Sequence, residues 1–358
     1  MKTHFCSSRR EFLKTSFWGG LAALTAVRWS GRTWAAAERA ALKPTSRVAL
    51  MAGEDHVDNT FRSLKAFERE ISRAIGDRRV IIKPNSVNIE VPLCATPANC
   101  LEGILEFLKS IGKAGNAIIA ESAASGPTFE GFANYGYPKV ADRYGVKLLD
   151  LDQQDIEIVH VFDEKDFRPH PVHMSKLLLD RNNFIISAAK MKTHDRIVTT
   201  LSLKNIVFGA PIKDPGYRGG KAGRAGAKND KTIAHGGGYR GINYNLFALA
   251  QRLRPDLSVI DGYQGMQGNG PVRGTPVEHR VCVAGLDWLA ADRTAVELMG
   301  IDFAKVGYLT YCAQTGLGEG DLKKIEIIGE PLAQHIKPYK LADSIAKQLI
   351  WMTPPEEA

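Results

Sequence analysis

The chain has 358 residues, 47 Lys and Arg against 39 Asp and Glu, and a formal net charge of +8. Its length allows one large α/β domain or two closely joined ones. Residues 1–37 hold Lys2, Arg9, Arg10, Lys14, Arg28 and Arg32 against Glu11; without them 41 basic residues face 38 acidic ones, a net of +3. A nucleic-acid binder carries a basic surplus across its domain, so nucleic acid is excluded as a partner.

The first segment reads as an export signal. Ser8-Arg9-Arg10-Glu11-Phe12-Leu13-Lys14 pairs two arginines with Phe, Leu and Lys at the offsets of the twin-arginine motif. The weakly apolar stretch Thr15 to Val27 is shorter than the roughly 20 residues a membrane-spanning helix needs. Ala35-Ala36-Ala37 offers a small-residue cleavage site. These features predict a twin-arginine signal peptide over 1–37, a short linker over 38–46, passage through the twin-arginine translocase, and a periplasmic or extracellular location. Beyond the signal remain Cys94, Cys100, Cys282 and Cys312, with no C-x-x-C pair. No iron–sulfur cluster or zinc ribbon is therefore expected. Cys94 and Cys100 are read either as a disulfide across a short loop or as buried thiols.

From residue 47 onward, Val- and Ile-rich runs alternate with helical patterns. Arg47–Met51, Val80–Lys83, Ala117–Glu121, Val146–Leu151, Phe184–Ala188, Leu257–Asp261 and Arg280–Ala284 read as strands. Several are continuous apolar runs, as in sheets covered on both faces. Asn59–Ile75, Ala98–Ile111, Tyr244–Arg252 and Leu289–Met299 carry apolar residues at helical spacing. The alternation predicts an α/β fold with a mainly parallel sheet flanked by helices, in one body or two closely packed lobes, over 47–330. A helical tail is expected over 331–358. Residues 211–241 are rich in Gly, Lys and Arg and read as a long basic loop serving as a lid.

Three strand ends carry polar residues where open α/β sheets bind ligands. Val80-Ile81-Ile82-Lys83-Pro84-Asn85 ends in a cation and an amide, suited to an anionic group. Phe184 to Ala188 leads into Lys190, Lys192 and His194, followed by Lys204 and Asn205. Lysines held together depress one another's pKa, which makes one a candidate nucleophile or base. Ile260-Asp261-Gly262 opens a third, glycine-rich segment. Asp287 reads as a helix cap with Asp292 inside the helix. Gly236-Gly237-Gly238-Tyr239-Arg240-Gly241 fits G-x-G-x-x-G, but no strand enters it, so it does not read as a dinucleotide site.

Taken together, Ile82-Lys83-Pro84-Asn85, Lys192-Thr193-His194, Thr200-Leu201-Ser202-Leu203-Lys204-Asn205, Asp261-Gly262 through Gly268-Asn269-Gly270-Pro271, Ala290-Ala291-Asp292 and Gly316-Leu317-Gly318 resemble the family called domain of unknown function 362. The resemblance covers roughly Val48 to Gly329. Many relatives carry iron–sulfur clusters in added segments, which the cysteines here do not supply. A more distant resemblance is to the nickel-pincer lactate racemases. It implies His194 as acid/base, Lys204 ten residues on as anchor of a metal-nucleotide cofactor, and His235 as a metal ligand. The glycines beside that lysine and a first-domain histidine have no counterpart, since Leu201-Ser202-Leu203 and the serines of Ala120–Gly126 stand there.

The favoured reading is an exported metal- or cofactor-dependent enzyme for a small anionic substrate. Lys83, Asn85, Lys192, Asn205 and Asp261 would bind the anion, His194 and Lys204 act on it, and His235 hold nickel, zinc or copper. The alternatives are a binding protein for an anion, metal or cofactor, and an accessory subunit of an exported redox complex.

Overall fold

A computed structural model describes residues 44–219 and 226–354. The proposed signal peptide, most of the linker, Lys221, Arg224 and the last four residues lie outside these. The strands in chain order are β1 Ser46–Ala52, β2 Arg79–Lys83, β3 Ala117–Glu121, β4 Lys147–Asp150, β5 Ile156–Phe162, β6 Pro169–Ser175, β7 Asn183–His194, β8 Val198–Thr200, β9 Leu257–Asn269, β10 Arg273–Gly285 and β11 Ile325–Gly329. A nine-stranded sheet runs β11-β1-β10-β9-β7-β2-β3-β4, with β8 paired to β7. Among the described strands of this sheet, only β10 and the short β8 run antiparallel to their neighbours. β5 and β6 form a separate hairpin. One sheet joins all the other strands, so the two-lobe alternative gives way to a single α/β body.

Both sheet faces are apolar because both are covered. On one side Ile81, Ile185, Ala189, Ile260 and Val283 pack against helices Ser202–Val207, Gly238–Ala250 and Trp288–Leu298. On the other, Val80, Ile82, Phe184, Ile186 and Val259 meet helices His56–Lys65, Glu68–Ile75 and Ala98–Ser110. Burying each such side chain contributes about 1.5–3 kcal/mol. The stripe Leu101, Ile104, Leu105 and Leu108 is buried, as its spacing predicts.

The differences from expectation have physical causes. The helix expected over Asn59–Ile75 is two helices, because the chain leaves helical geometry at Phe67 (φ −121, ψ 26) and turns that ring into the core. β7 and β9 run past Ala188 and Asp261 to His194 and Asn269. Their charged residues stay in the ladder because partners inside the protein meet them. The basic 211–241 segment is not one irregular loop. Asn229 caps a helix over Asp230–Gly236 by accepting from the Lys231 N–H at 3.1 Å, and Gly238–Ala250 follows directly. Its described parts are fastened down, with Lys213 ion-paired to Asp152 and Gly219 N donating to Ser125 O at 2.8 Å. Beyond β11 the chain makes short helical turns at Leu332–Gln334, Ile345–Gln348 and Leu349–Met352. The β5–β6 hairpin was not anticipated. The cysteines Cys94, Cys100, Cys282 and Cys312 are buried free thiols.

Candidate functional site

β3, β2 and β7 are neighbours and parallel, so their carboxyl ends share one rim. They deliver Glu121, Lys83 and His194 to it. Helix Ser202–Val207 adds Lys204 and Asn205, and helix Asp230–Gly236 adds Lys231 and His235. These side chains, with Asn85, Ser86, Arg196 and Phe208, line a cavity of about 300 Å³. Asp292, buried in helix Trp288–Leu298, orients the first helix by accepting from the Ser202 and Leu203 N–H groups at 2.8 and 3.0 Å. Burial pushes the Asp292 carboxyl up to about 7.

Lys83 is fully buried and ion-paired with Glu121 at 2.7 Å. It also donates to Pro84 O at 3.0 Å and Asn205 Oδ1 at 3.3 Å. Gly209 makes room for it: a Cβ there would lie 2.4 Å from Lys83 Nζ and 2.1 Å from Asn205 O. Burial lowers the Lys83 pKa and raises that of Glu121, each partner opposing the shift of the other.

Two residues expected to hold the anion are committed to the protein. Asn205 donates to Lys83 O and Ser187 Oγ, each at 3.0 Å, and its Oδ1 accepts from Lys83 and Asn85. That fills an amide side chain's hydrogen-bonding capacity. Lys192 is not among the residues that line the cavity, and it donates to Asn85 Oδ1 and Cys94 O. Burial lowers its pKa to about 8.

Lys204 is different: among the described residues its ammonium has neither a hydrogen bond nor an ion pair, and it stands 5.8 Å from the Phe208 ring centroid. Burial, then Lys192, lowers its pKa to about 7. Lys231 donates to Gly209 O at 2.9 Å and to Pro211 O, and burial lowers it to about 7 despite Asp152 and Glu121.

The two histidines face each other with ring centroids 6.4 Å apart, and the His235 ring lies 4.6 Å from that of Phe208. Burial, then Lys204, lowers both pKa values, so both rings are neutral near pH 7. His194 Nδ1 accepts from the Arg196 N–H at 3.1 Å, which places that ring's proton on Nε2. Asp195 lies 3.4 Å from the same nitrogen, too poorly placed to bond it. His235 Nδ1 donates to Lys231 O at 2.6 Å, leaving its Nε2 with a bare lone pair. One ring is thus a proton donor at Nε2 and the other an acceptor. Among the described residues no group of three or more His, Cys, Asp or Glu is placed to hold a metal ion. A metal on His235 would have to bring most of its own ligands.

Asp261 falls outside the cavity. It is fully buried within β9, accepting from Lys190 Nζ at 2.9 Å and sharing a 2.7 Å contact with His56 Nε2. Burial alone would raise its pKa, but Lys190 and His56 hold it well below the usual carboxylate range. Its role is pairing, because β9 continues past it.

Glu121, Ser86 and Lys231 were missed. Glu121 was legible by the rule that found Lys83, since Ala117–Glu121 also ends on a charge. Ser86 Oγ and Glu121 Oε2 are shielded from solvent and have no partner among the described residues. Both residues line the cavity. Lys231 resembled its solvated neighbours until helix Asp230–Gly236 turned it inward.

A family model described as domain of unknown function (DUF362) matches residues 80–297. The chain belongs to this family. The matched span holds every residue named above for the cavity. The thylakoid-associated protein sll1697 of Synechocystis sp. is 25% identical over 245 residues, covering 68% of each chain. A crystal structure of a Thermotoga maritima protein aligns at 13% identity with a TM-score of 0.37, over 66% of this chain and 58% of that one.

Proposed function

We propose that this DUF362 protein is an exported enzyme that binds a small anion in the rim cavity and moves protons on it with His194 and His235. The observation that carries this reading is the charge imbalance. Lys83 is matched by Glu121, whereas Lys204 and Lys231 face the cavity without an ion-paired carboxylate among the described residues. Buried cations without counter-ions are costly, and an anionic ligand removes that cost. The unpartnered Ser86 Oγ and Glu121 Oε2 provide further hydrogen-bonding positions for the same ligand.

In this reading the anion lies against Lys204 and Lys231. His235 Nε2 accepts a proton from the substrate and His194 Nε2 supplies one, the two imidazoles having opposite tautomers. With its pKa lowered to about 7, Lys204 is present near neutrality partly as the free amine, and that fraction is the nucleophile or the anchor for a carbonyl-bearing cofactor. Such a cofactor would supply electrophilic or hydride chemistry when bound.

The test is deuterium exchange. Protein purified from its native host is incubated in D2O with a panel of small hydroxy-, keto- and aminocarboxylates, and incorporation at carbon is followed by NMR. Exchange lost in both His194→Ala and His235→Gln supports the reading. Anion binding without exchange for any member would leave a binding protein. Intact mass with and without Lys204→Ala detects a covalent adduct.

We also read residues 1–37 as the twin-arginine signal that places the enzyme in the periplasm. Replacing Arg9 and Arg10 with Lys should retain the unprocessed chain in the cytoplasm. Unchanged export would refute this part alone.

A further inference from the structure

A second cavity, of about 660 Å³, lies between the β5–β6 hairpin, helix Gly238–Ala250 and the segment Trp351–Pro354. Its walls are Phe162, Phe167, Tyr244, Tyr311, Trp351 and Met352. The rings pack edge to face, Phe162 on Tyr244 at 6.4 Å and Tyr311 on Trp351 at 5.3 Å. Phe167 is 80% exposed, Met352 50%, Tyr244 49% and Phe162 42%. Scattered apolar side chains are ordinary on a surface, but four around one concavity mark a binding place. Phe167 also has φ 52, a left-handed conformation that is costly for a bulky residue. Its ring gains little burial in return.

The cation in this cavity is Arg240. Its Nε is shielded from solvent and has no partner among the described residues, while Nη2 reaches Thr353 O at 3.3 Å. Two carboxylates also line the cavity, and each is held by backbone N–H groups rather than by the guanidinium. Glu164 Oε2 accepts from the Arg240 and Gly241 backbone N–H groups at 2.8 and 2.9 Å, and Asp163 Oδ1 accepts from Lys165 N at 2.9 Å. The glycine run that fits no dinucleotide site has its reason here. Gly238 has φ 73, and a Cβ on it would lie 1.8 Å from Glu164 Oε1. The glycine therefore lets the hairpin tip seat on the helix start, which builds the cavity floor.

We propose that this cavity binds a flat aromatic or conjugated small molecule carrying one anionic group. The ring system lies among Phe167, Tyr244 and Trp351, and the anion accepts from the Arg240 guanidinium. Aromatic walls favour a planar body, and a buried, unpaired guanidinium N–H calls for a charged acceptor. The volume falls within the roughly 300–1,000 Å³ typical of small-molecule sites.

The test uses two naphthalene dyes of similar shape on the purified protein, the anionic anilinonaphthalene sulfonate and the uncharged phenyl-naphthylamine. Both should bind saturably at one site and quench Trp351, the sulfonate more tightly. Arg240→Met should weaken the sulfonate by about tenfold or more, the range one charge-assisted hydrogen bond commands, and leave the neutral dye unchanged. Phe167→Ser should weaken both. Near-UV circular dichroism checks each variant's fold; if Arg240→Met fails to fold, Arg240→Lys should show an intermediate sulfonate affinity. Lys204→Met should change neither dye, which separates this site from the rim cavity. Absence of saturable binding, or equal loss of both dyes in a folded Arg240 variant, overturns the proposal. So does a dimer that excludes dye and is dissociated by Phe167→Ser.

Discussion

Lys190 and Lys192 stand two residues apart on β7, both buried, and their fates differ. Lys190 meets Asp261 in an ion pair at 2.9 Å that His56 completes. Lys192 finds only neutral acceptors, Asn85 Oδ1 and Cys94 O, and its pKa falls to about 8. The first charge is matched within the fold and serves structure. The second belongs to a group of lysines that the fold gathers without supplying enough carboxylates. Burial alone does not mark a candidate lysine; Lys204 is the candidate because it is buried, lines the cavity and has no ion-paired carboxylate among the described residues.

Substitutions test that contrast. The largest effect is expected from Asp261→Ala, which strands Lys190 in the core. Urea unfolding should show a loss of about 3–5 kcal/mol, with anion affinity of the folded fraction unchanged. Asp292→Ala leaves the Ser202 and Leu203 N–H groups without an acceptor. It should cost about 2 kcal/mol or more and also weaken anion binding, because helix Ser202–Val207 carries Lys204. Lys204→Met should leave stability unchanged or raise it, while lowering anion affinity about tenfold by calorimetry. A Lys204→Met variant as unstable as Asp261→Ala would erase the distinction.

The subtlest effect is on pH dependence. Lys204 and Lys231 have pKa values of about 7 in the fold against 10.5 in an unperturbed lysine. Between these values the unfolded chain binds more protons than the folded one, so the ligand-free protein should gain stability as pH rises. Anion affinity, which depends on the protonated amines, should fall over the same rise. Thermal melts and anion titrations from pH 6 to 9 check both signs.

The amino-acid sequence determines the class of fold and points to several of the residues that line the rim cavity. Apolar runs such as Val80–Lys83 and Phe184–Ala188 predict buried parallel strands because both sheet faces need cover. A strand that ends in a charge points to the rim, which located Lys83 and His194 and would have located Glu121. Tertiary structure decides which charges are paired. That Asp261 belongs to Lys190 and His56, that Asn205 has no free hydrogen-bonding capacity, and that Lys231 turns inward depend on contacts between residues far apart in the chain. Residue type and spacing do not encode those distances. The hairpin that creates the aromatic cavity was invisible for the same reason, since Phe162, Arg240 and Trp351 become neighbours only after the chain folds.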